Sequence, residues 1–296
     1  MKIRIGTRKS KLALIQTDMV IRQLQNKVPD IECEIVPIVT TGDQITNKNL
    51  YDIGGKALFL KELEEQLIDN KIDVAVHSLK DVPGIMPDEL KIVAVLERTD
   101  PRDCFVSFKY KSIDELPKNA VIGSSSVRRK VIIHQKRPDL KLVQFRGNIN
   151  TRMRKLKDEE VDATILACAG LHRGGLFDLD FCYPIDFNEM LPAAGQGIIS
   201  LETRAGDIKT QEICQLINHE PTWHLAQAER SFMTHLDASC RTPMSAYACY
   251  EGERVKAQYM LSDIDGQNIQ YVTKLCDIKD VSQIGVEAAK ELQKNI

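Results

Sequence analysis

Strand-like and helix-like patterns of apolar residues alternate along the first third of the chain. A strand pattern at residues 2–7 (KIRIGT) is followed by residues 11–27, where apolar residues recur near one helical face. A helical pattern at residues 58–71 then leads to a continuous apolar strand, IDVAVHS, at residues 72–78. This alternation predicts βαβ units, and therefore a mostly parallel sheet covered by helices.

A second unit with the same alternation begins near residues 99–101. Strand, turn and helix patterns recur there at residues 119–137, 141–160 and 161–176. The pattern changes after Pro221, where a helical segment precedes a block of strands. The strand patterns are 244–251, 254–263 and 267–275, and a helical pattern closes the chain at 280–294. This last block predicts a small α+β domain.

Composition and charge exclude several function classes. The 296 residues include 40 Lys and Arg against 42 Asp and Glu, a net charge of -2. A chain so close to neutrality is not expected to bind nucleic acid, and any basic site must be local. We expect no membrane span because no apolar run reaches about 18 residues. Gln16, Thr17 and Asp18 interrupt the first apolar run, so no signal peptide is expected either.

The cysteines are scattered without a pairing pattern. None of the eight has CxxC spacing or lies at zinc-finger spacing from a histidine. Reduced thiols in the cytoplasm are therefore expected, without a metal site. Cys240 is unusual because it lies between a helix pattern and a strand pattern, in LDASCRTPMSAYA. Cys249 falls within an alternating strand, where a small buried residue is the simpler interpretation.

Turns that follow strands combine small or hydroxyl residues with arginine. They are GTRKS with Arg8 and Ser10, GSSSVRRK with Ser125, Ser126, Arg128 and Arg129, FRGNINTR with Arg146 and Arg152, and GLHR with Arg173. Ligands of parallel α/β sheets bind beyond the carboxyl ends of the strands, where helix N-termini offer free N–H groups. Arginine adds a planar fork that binds carboxylate or phosphate. The pattern favours a ligand with many anionic groups, although each arginine could instead form a surface ion pair.

A second candidate site is VAVHSLKDVP, residues 74–83. A buried strand ends at His77 and Ser78, and Lys80 and Asp81 follow it. A carboxylate in this place can stabilise a developing cation or exchange a proton with a substrate nitrogen. A structural Lys–Asp pair is the alternative. His77 is interpreted as a hydrogen-bonded structural residue.

Long motifs over essentially the whole chain resemble the porphobilinogen deaminase family, also called the hydroxymethylbilane synthases. They are IGTRKSKLALIQT, GGKALFLKELEEQL, DVAVHSLKDVP, RTDPRDCFVS, IGSSSVRRK, FRGNINTRMRKL, ILACAGLHR, LPAAGQGIISLE and AERSFM. The resemblance implies an α/β chain with two domains similar to periplasmic binding proteins and a small C-terminal α+β domain. The implied boundaries are 1–97 with 198–217, then 98–197, then 218–296.

The resemblance also implies the chemistry. Four porphobilinogen molecules would be joined head to tail into hydroxymethylbilane with release of ammonia, primed by a dipyrromethane that is bound to Cys240 through a thioether. Asp81 matches the catalytic aspartate, and residues around 43–58 match a lid. Cofactor contacts are implied for Lys80, Ser125, Ser126, Arg128, Arg129, Arg173 and Gln196. Substrate contacts are implied for Arg8, Ser10, Gln16, Arg146 and Arg152.

The chain departs from the family pattern at the implied anchor. Ser239 stands where glycine is common before the cysteine, and Arg241 follows it. The resemblance further implies a cytoplasmic monomer without nucleic-acid or membrane partners. The main alternative is a non-catalytic two-lobed protein that binds a small polyanion, which would need neither Cys240 nor Asp81.

Overall fold

The computed structural model describes residues 2–44, 60–239 and 242–294. Cys240 and Arg241 lie outside the described residues, as does most of the predicted lid at 43–58. Within the described ranges the helices are α1 (Lys11–Lys27), α2 (Thr41–Gln44), α3 (Lys61–Ile68), α4 (Val127–Lys136), α5 (Ile149–Lys157), α6 (Cys168–Arg173), α7 (Ile208–Gln215), α8 (Glu220–His235) and α9 (Val281–Leu292).

The strands form three sheets. Their bounds are β1 (Lys2–Arg8), β2 (Glu32–Ile38), β3 (Val74–Ser78), β4 (Leu90–Val95), β5 (Asp103–Val106), β6 (Val121–Gly123), β7 (Lys141–Val143), β8 (Ala163–Ala167), β9 (Cys182–Pro184), β10 (Ile199–Arg204), β11 (Met244–Glu251), β12 (Arg254–Ser262) and β13 (Ile269–Cys276).

The first sheet has the order β2-β1-β3-β10-β4. Strand β1 is parallel to β2 and β3, whereas β10 runs antiparallel to β3 and β4. The β10 strand comes from residues 199–204, about a hundred residues after its neighbours in the chain. The chain therefore crosses to the second sheet and returns to the first. A core that includes Ile3, Ile5, Leu24 and Leu201 packs between this sheet and its helices.

The second sheet has the order β7-β6-β8-β5-β9, with β6 parallel to β7 and β8 and with β5 antiparallel to β8 and β9. Strands β11, β12 and β13 form an antiparallel sheet covered by α8 and α9, with Phe232 and Tyr259 fully buried between them. Two mixed α/β sheets and a small C-terminal α+β unit confirm the predicted fold class.

Glu229 on α8 joins the C-terminal unit to the segments that cross between the two larger sheets. Its buried carboxylate accepts hydrogen bonds from Arg98 Nη1 at 2.5 Å, from the Gly195 N–H at 2.7 Å and from the Ala248 N–H at 2.8 Å. A buried carboxylate is stable only when its oxygens are satisfied in this way. The junction of the three units is therefore a defined polar contact.

Hydroxyl and amide side chains begin the helices that follow the parallel strands. Ser10 accepts from the Ala13 N–H at 3.3 Å, Ser126 from the Arg129 N–H at 3.4 Å and Asn148 from the Thr151 N–H at 2.9 Å. Such N-cap contacts satisfy one of the free N–H groups of the first turn. They place the starts of α1, α4 and α5 at the carboxyl ends of their strands.

Candidate functional site

Lys80 and Asp81 lie in a single 3₁₀ turn, Leu79–Asp81, directly after β3. Leu79 is buried, its N–H donates to the Ile198 carbonyl at 2.9 Å, and its own carbonyl accepts from the Val82 N–H at 3.1 Å. Leu79, the apolar residue between Ser78 and Lys80, therefore holds the turn against Ile198, in the segment that returns from the second sheet to the first. Lys80 and Asp81 remain half-buried on its other side.

Gln196 links this turn to the second sheet. Lys80 Nζ donates to Gln196 Oε1 at 3.3 Å, and Gln196 Nε2 donates to Asp103 Oδ1 at 3.0 Å and to the Pro101 carbonyl at 2.7 Å. The glycine after Gln196 permits this loop, because Gly197 has φ +89° and a Cβ there would lie 2.3 Å from the Thr99 carbonyl oxygen. The predicted residues Lys80 and Gln196 are thus in contact.

Asp103 is a site residue that the sequence analysis missed. Its fully buried carboxylate accepts from Arg128 Nη1 at 2.7 Å and from Arg129 Nη2 at 2.6 Å. Burial acts to raise the pKa of Asp103, but the two guanidinium charges and their hydrogen bonds outweigh it and hold that pKa well below its ordinary value. The only sequence signal was a charged residue at the start of the apolar strand DCFV.

The two arginines also donate to backbone carbonyls. Arg128 Nη1 reaches the Leu191 carbonyl and Arg129 Nη1 reaches the Ile165 carbonyl, both at 2.7 Å. Both side chains are buried, so neither forms the surface ion pair that was the alternative interpretation. Asp103 carries one negative charge, whereas Arg128 and Arg129 together carry two positive charges. One positive charge therefore remains uncompensated by Asp103.

Arg152 brings further positive charge to the same place. Burial, together with the charges of Arg129 and Arg146, lowers its pKa to about 10, and the charge of Asp81 opposes them. Burial likewise lowers the pKa of Lys80 to about 8, against the charges of Asp81 and Asp103. Hydrogen bonds link Lys80 through Gln196 and Asp103 to Arg128 and Arg129. We call Lys80, Arg128, Arg129, Arg146 and Arg152 the cationic cluster; Asp81 and Asp103 are its neighbouring carboxylates.

Arg173 is directed at the crossing segments. Its Nη2 donates to Thr99 Oγ1 at 2.9 Å and to the Gly197 carbonyl at 2.7 Å. Its Nε is buried without a hydrogen-bond partner, and burial lowers the pKa of the side chain to about 10. A buried guanidinium donor of this kind is costly unless an acceptor occupies the adjacent space. Arg173 therefore fits a contact with an anionic ligand.

The predicted substrate residues of the first sheet lie where β1 meets α1. Arg8 ends β1, Ser10 caps α1, and the buried Gln16 on α1 donates from Nε2 to Ser78 Oγ at 2.9 Å. Ser78 directly precedes the 3₁₀ turn, so Gln16 connects these residues to Asp81. In the second sheet, Ser125 Oγ accepts from the Phe145 N–H at 3.1 Å and Arg152 Nε donates to the Gly147 carbonyl at 2.8 Å.

Other chemistries find little support in the described part of the chain. No group of three or more His, Cys, Asp or Glu residues there is arranged to hold a metal ion. The cysteines that the structure describes are free thiols. His77 is buried and its Nε2 lies 2.8 Å from Glu202 Oε2, as expected for a structural histidine. None of the described helices is both long and apolar enough to cross a membrane.

Two mixed α/β sheets that meet at a cationic cluster define a class of protein suited to a ligand with several anionic groups. The family model "Porphobilinogen deaminase, dipyromethane cofactor binding domain" matches residues 3–212, and the model "Porphobilinogen deaminase, C-terminal domain" matches residues 223–294. The chain belongs to the porphobilinogen deaminase family.

Similar proteins agree over nearly the full length. A porphobilinogen deaminase from Rickettsia akari is 56% identical over 289 residues, which covers 97% of this chain and 96% of the relative. One from Rickettsia conorii is 49% identical, with 99% of this chain and 98% of the relative covered. These identities include the C-terminal unit as well as the two larger sheets.

Solved structures are less similar. A probable amino-acid transporter binding protein from Bacillus subtilis, ytmK, has a TM-score of 0.46 and 11% identity, and covers 79% of this chain and 99% of its own. The periplasmic VFT2 domain of BvgS from Bordetella pertussis has a TM-score of 0.45 and 14% identity, with 80% and 93% covered. Similarity at this level adds nothing to the assignment of the site.

Proposed function

We propose that the chain joins four porphobilinogen molecules head to tail into linear hydroxymethylbilane, with release of ammonia, as a porphobilinogen deaminase of tetrapyrrole and heme biosynthesis. The observation that carries this proposal is the cationic cluster beside Asp81, in which Lys80 is linked through Gln196 and Asp103 to two buried arginines. Each pyrrole ring of the substrate carries an acetate and a propionate, so negative charge increases with every addition. A buried excess of positive charge suits such a ligand, because desolvated ion pairs form only where the charges compensate each other.

The residues present fit a dipyrromethane cofactor, for which the first family model is named. Two pyrrole rings carry several carboxylates, and the unpartnered Arg173 Nε and the cationic cluster offer donors for them. When bound, dipyrromethane supplies a free pyrrole α-carbon as the nucleophile for the first substrate unit. The proposed cofactor contacts are Lys80, Ser125, Ser126, Arg128, Arg129, Arg173 and Gln196.

Cys240 is the proposed attachment point of the cofactor, through a thioether. It lies outside the described residues, so its support comes from the sequence motif alone. A thiolate is a strong nucleophile toward an electrophilic methylene pyrrole. Described cysteines such as Cys104 and Cys214 are buried, and burial raises the pKa of the Cys214 thiol to about 12. That makes Cys214 a poor nucleophile.

Substrate carboxylates are proposed to bind on both sides of Asp81. Arg8, Ser10 and Gln16 lie on the side of the first sheet, and Arg146 and Arg152 on the side of the second. Residues that converge from two sheets can orient the incoming ring, which lowers the entropic part of the barrier.

Asp81 is the proposed catalytic residue. Loss of ammonia from porphobilinogen leaves a positively charged, electrophilic methylene pyrrole. A carboxylate fixed beside it can accept hydrogen bonds from pyrrole N–H groups and stabilise that charge. The turn that holds Asp81 is tied by Leu79 to the Ile198 carbonyl, so the carboxylate is positioned before substrate binds.

The proposed domains are 1–97 with 198–217, then 98–197, then 218–296. The return of β10 to the first sheet supports the discontinuous first domain. The crossing segments are joined by the Thr99 N–H, which donates to the Gly197 carbonyl at 3.1 Å. The proposal also includes a cytoplasmic monomer. The net charge of -2 supports the absence of a nucleic-acid partner.

The alternative, a binding protein without catalysis, is not favoured. Its two-lobed architecture would explain the two sheets but not the C-terminal family match at residues 223–294.

The test of the proposed function is to incubate the purified chain with porphobilinogen and to measure substrate, ammonia and hydroxymethylbilane. We expect four substrates consumed and four ammonia released for each product. Asp81→Asn should lower turnover by about a hundredfold or more, while Asp88→Asn, at an exposed loop position, should not. Absence of turnover in a cofactor-loaded parent would contradict the proposal.

A further inference from the structure

The segment that follows Asp81 is hydrogen-bonded to helix α8. Arg230 Nη2 donates to the Pro83 carbonyl at 3.0 Å and Nη1 to the Val82 carbonyl at 3.4 Å. One helical turn further on, Thr234 Oγ1 donates to the Gly84 carbonyl at 2.9 Å. Three consecutive carbonyls after the catalytic turn are therefore bound by side chains of the C-terminal unit.

The contact continues to the loop that leads to Cys240. The Gly84 N–H donates to the Ala238 carbonyl at 3.3 Å. Gly84 lies so close to α8 that a Cβ there would be 2.5 Å from the Met233 carbonyl oxygen. Asp81 is three residues before Gly84 in the chain, and Ala238 is two residues before Cys240. The contact therefore lies close in sequence both to the proposed catalytic residue and to the proposed attachment point of the cofactor.

Side-chain packing is incomplete on one side of this contact. An open pocket of about 350 Å³ lies beside it, lined by Leu79, Met86, Trp223, Arg230 and Thr234 among others. Side chains that face this pocket have fewer packing partners, so the hydrogen bonds of Arg230 and Thr234 add to the close approach of Gly84 to α8 in holding the segment. Burial lowers the pKa of Arg230 to about 10, and the side chain therefore stays charged at neutral pH and donates charge-assisted bonds.

We propose that Arg230 and Thr234 are positioning residues for the reaction: they hold the Asp81 turn against the C-terminal half of α8 and against Ala238, which follows that helix. The inference rests on the proposed function, which makes Asp81 the catalytic residue and Cys240 the attachment point of the cofactor. Neither side chain is placed in contact with substrate. Their loss should therefore change the rate of the bound complex and leave substrate affinity nearly unaffected.

The test compares Thr234→Val, which removes the hydroxyl at nearly constant shape, with Thr234→Ser, which retains it. We expect Thr234→Val to lower kcat by about threefold to tenfold, with KM within about twofold of the parent, and Thr234→Ser to restore most of the rate. Arg230→Met should lower kcat further, and Arg230→Lys should recover part of the loss. Equal kcat in Thr234→Val and Thr234→Ser, or a rise in KM without loss of kcat, would overturn the inference.

Amide hydrogen exchange of residues 79–86 provides a readout that does not depend on activity. Exchange should become faster in Thr234→Val and Arg230→Met and remain close to the parent in Thr234→Ser. Unchanged exchange in Thr234→Val would overturn the positioning role even if catalysis fell. If the parent itself fails to convert porphobilinogen, the proposed function is wrong, while the exchange result still decides whether these residues position the turn.

Discussion

Arg128 Nη1 and Asp103 Oδ2 form an ion pair of 2.7 Å in which the side chains are only 5% and 0% exposed. Arg129 reaches the other carboxylate oxygen at 2.6 Å. Asp103, which the sequence analysis did not single out, thus fixes two of the arginines proposed to hold the cofactor. Removing it would leave two buried positive charges close together.

Asp103→Asn should destabilise the fold and reduce cofactor loading. Breaking a buried ion pair typically costs about 3–5 kcal/mol, because the remaining charge stays desolvated. Chemical denaturation and intact-mass analysis of the same preparation would measure both effects. Asp139→Asn, in the more accessible pair with Arg137 at 2.7 Å, is the control and should have a much smaller effect. Equal unfolding free energies for the parent and Asp103→Asn would contradict the prediction.

Arg152→Ala should raise KM for porphobilinogen by about tenfold to a hundredfold, because it removes the binding free energy of one charge-assisted hydrogen bond. Arg152 is half-buried within the cationic cluster, whereas Arg154 on the same helix is exposed. Arg154→Ala removes the same charge from α5 and should leave KM nearly unchanged. Steady-state kinetics of the two variants make the comparison, and a similar KM in both would remove Arg152 from substrate binding.

Cofactor assembly should slow as the pH rises through about 8. Burial depresses the pKa of Lys80 to about 8, below its ordinary 10.5, so the ammonium is present below that pH and is lost above it. The neutral amine binds carboxylates less well. The rate at which unloaded protein gains cofactor mass from porphobilinogen can be followed from pH 7 to 9. Lys80→Arg, which stays charged, should flatten the profile; an identical profile in both proteins would exclude Lys80 as the cause.

Glu64→Gln should change the pH dependence of stability. Burial, together with the charge of Glu202, raises the pKa of Glu64 from 4.5 to about 7, and the charge of His77 opposes them. The folded state therefore binds a proton more tightly than the unfolded chain does. The resulting stability is complete below about pH 4.5 and is lost as the pH rises through about 7, by up to about 3 kcal/mol.

Denaturation of the parent and of Glu64→Gln between pH 5 and 8 tests this account. The variant should gain stability relative to the parent as the pH rises, because its neutral amide retains what the parent loses. Glu65→Gln, at an exposed position of the same helix, controls for the loss of a negative charge from α3. A constant difference between parent and Glu64→Gln over this range would show that Glu64 does not titrate there.

Local patterns in the sequence predicted much of the architecture. The periodicity of residues 11–27 predicted α1 with its observed bounds, and the apolar run that ends at Ser78 predicted β3. Residues 31–43 contain strand β2, which ends at Ile38, and the beginning of the helical turn α2 at Thr41. Thr41 and Glu62, which are 21 residues apart, are hydrogen-bonded, a long-range contact that periodicity does not report.

The site was less accessible to sequence reasoning. Strand–turn positions predicted that Arg129 and Arg152 would lie at the carboxyl ends of strands, as they do in the second sheet. They did not predict the link to Lys80, which follows a strand of the first sheet. Asp103 was missed because its partners lie 25 and 26 residues away and its own strand is apolar. Arg230 and Thr234 were missed for the same reason: their contacts with residues 82–84 span about 150 positions of the chain.

The intact mass of the denatured protein tests the central claim most directly. The parent, Cys240→Ala and Cys249→Ala should be compared after incubation with porphobilinogen. We predict a surplus equal to two linked pyrrole units in the parent and in Cys249→Ala, and none in Cys240→Ala. A surplus that persists in Cys240→Ala, or a parent that keeps the mass of the bare chain, would contradict the account.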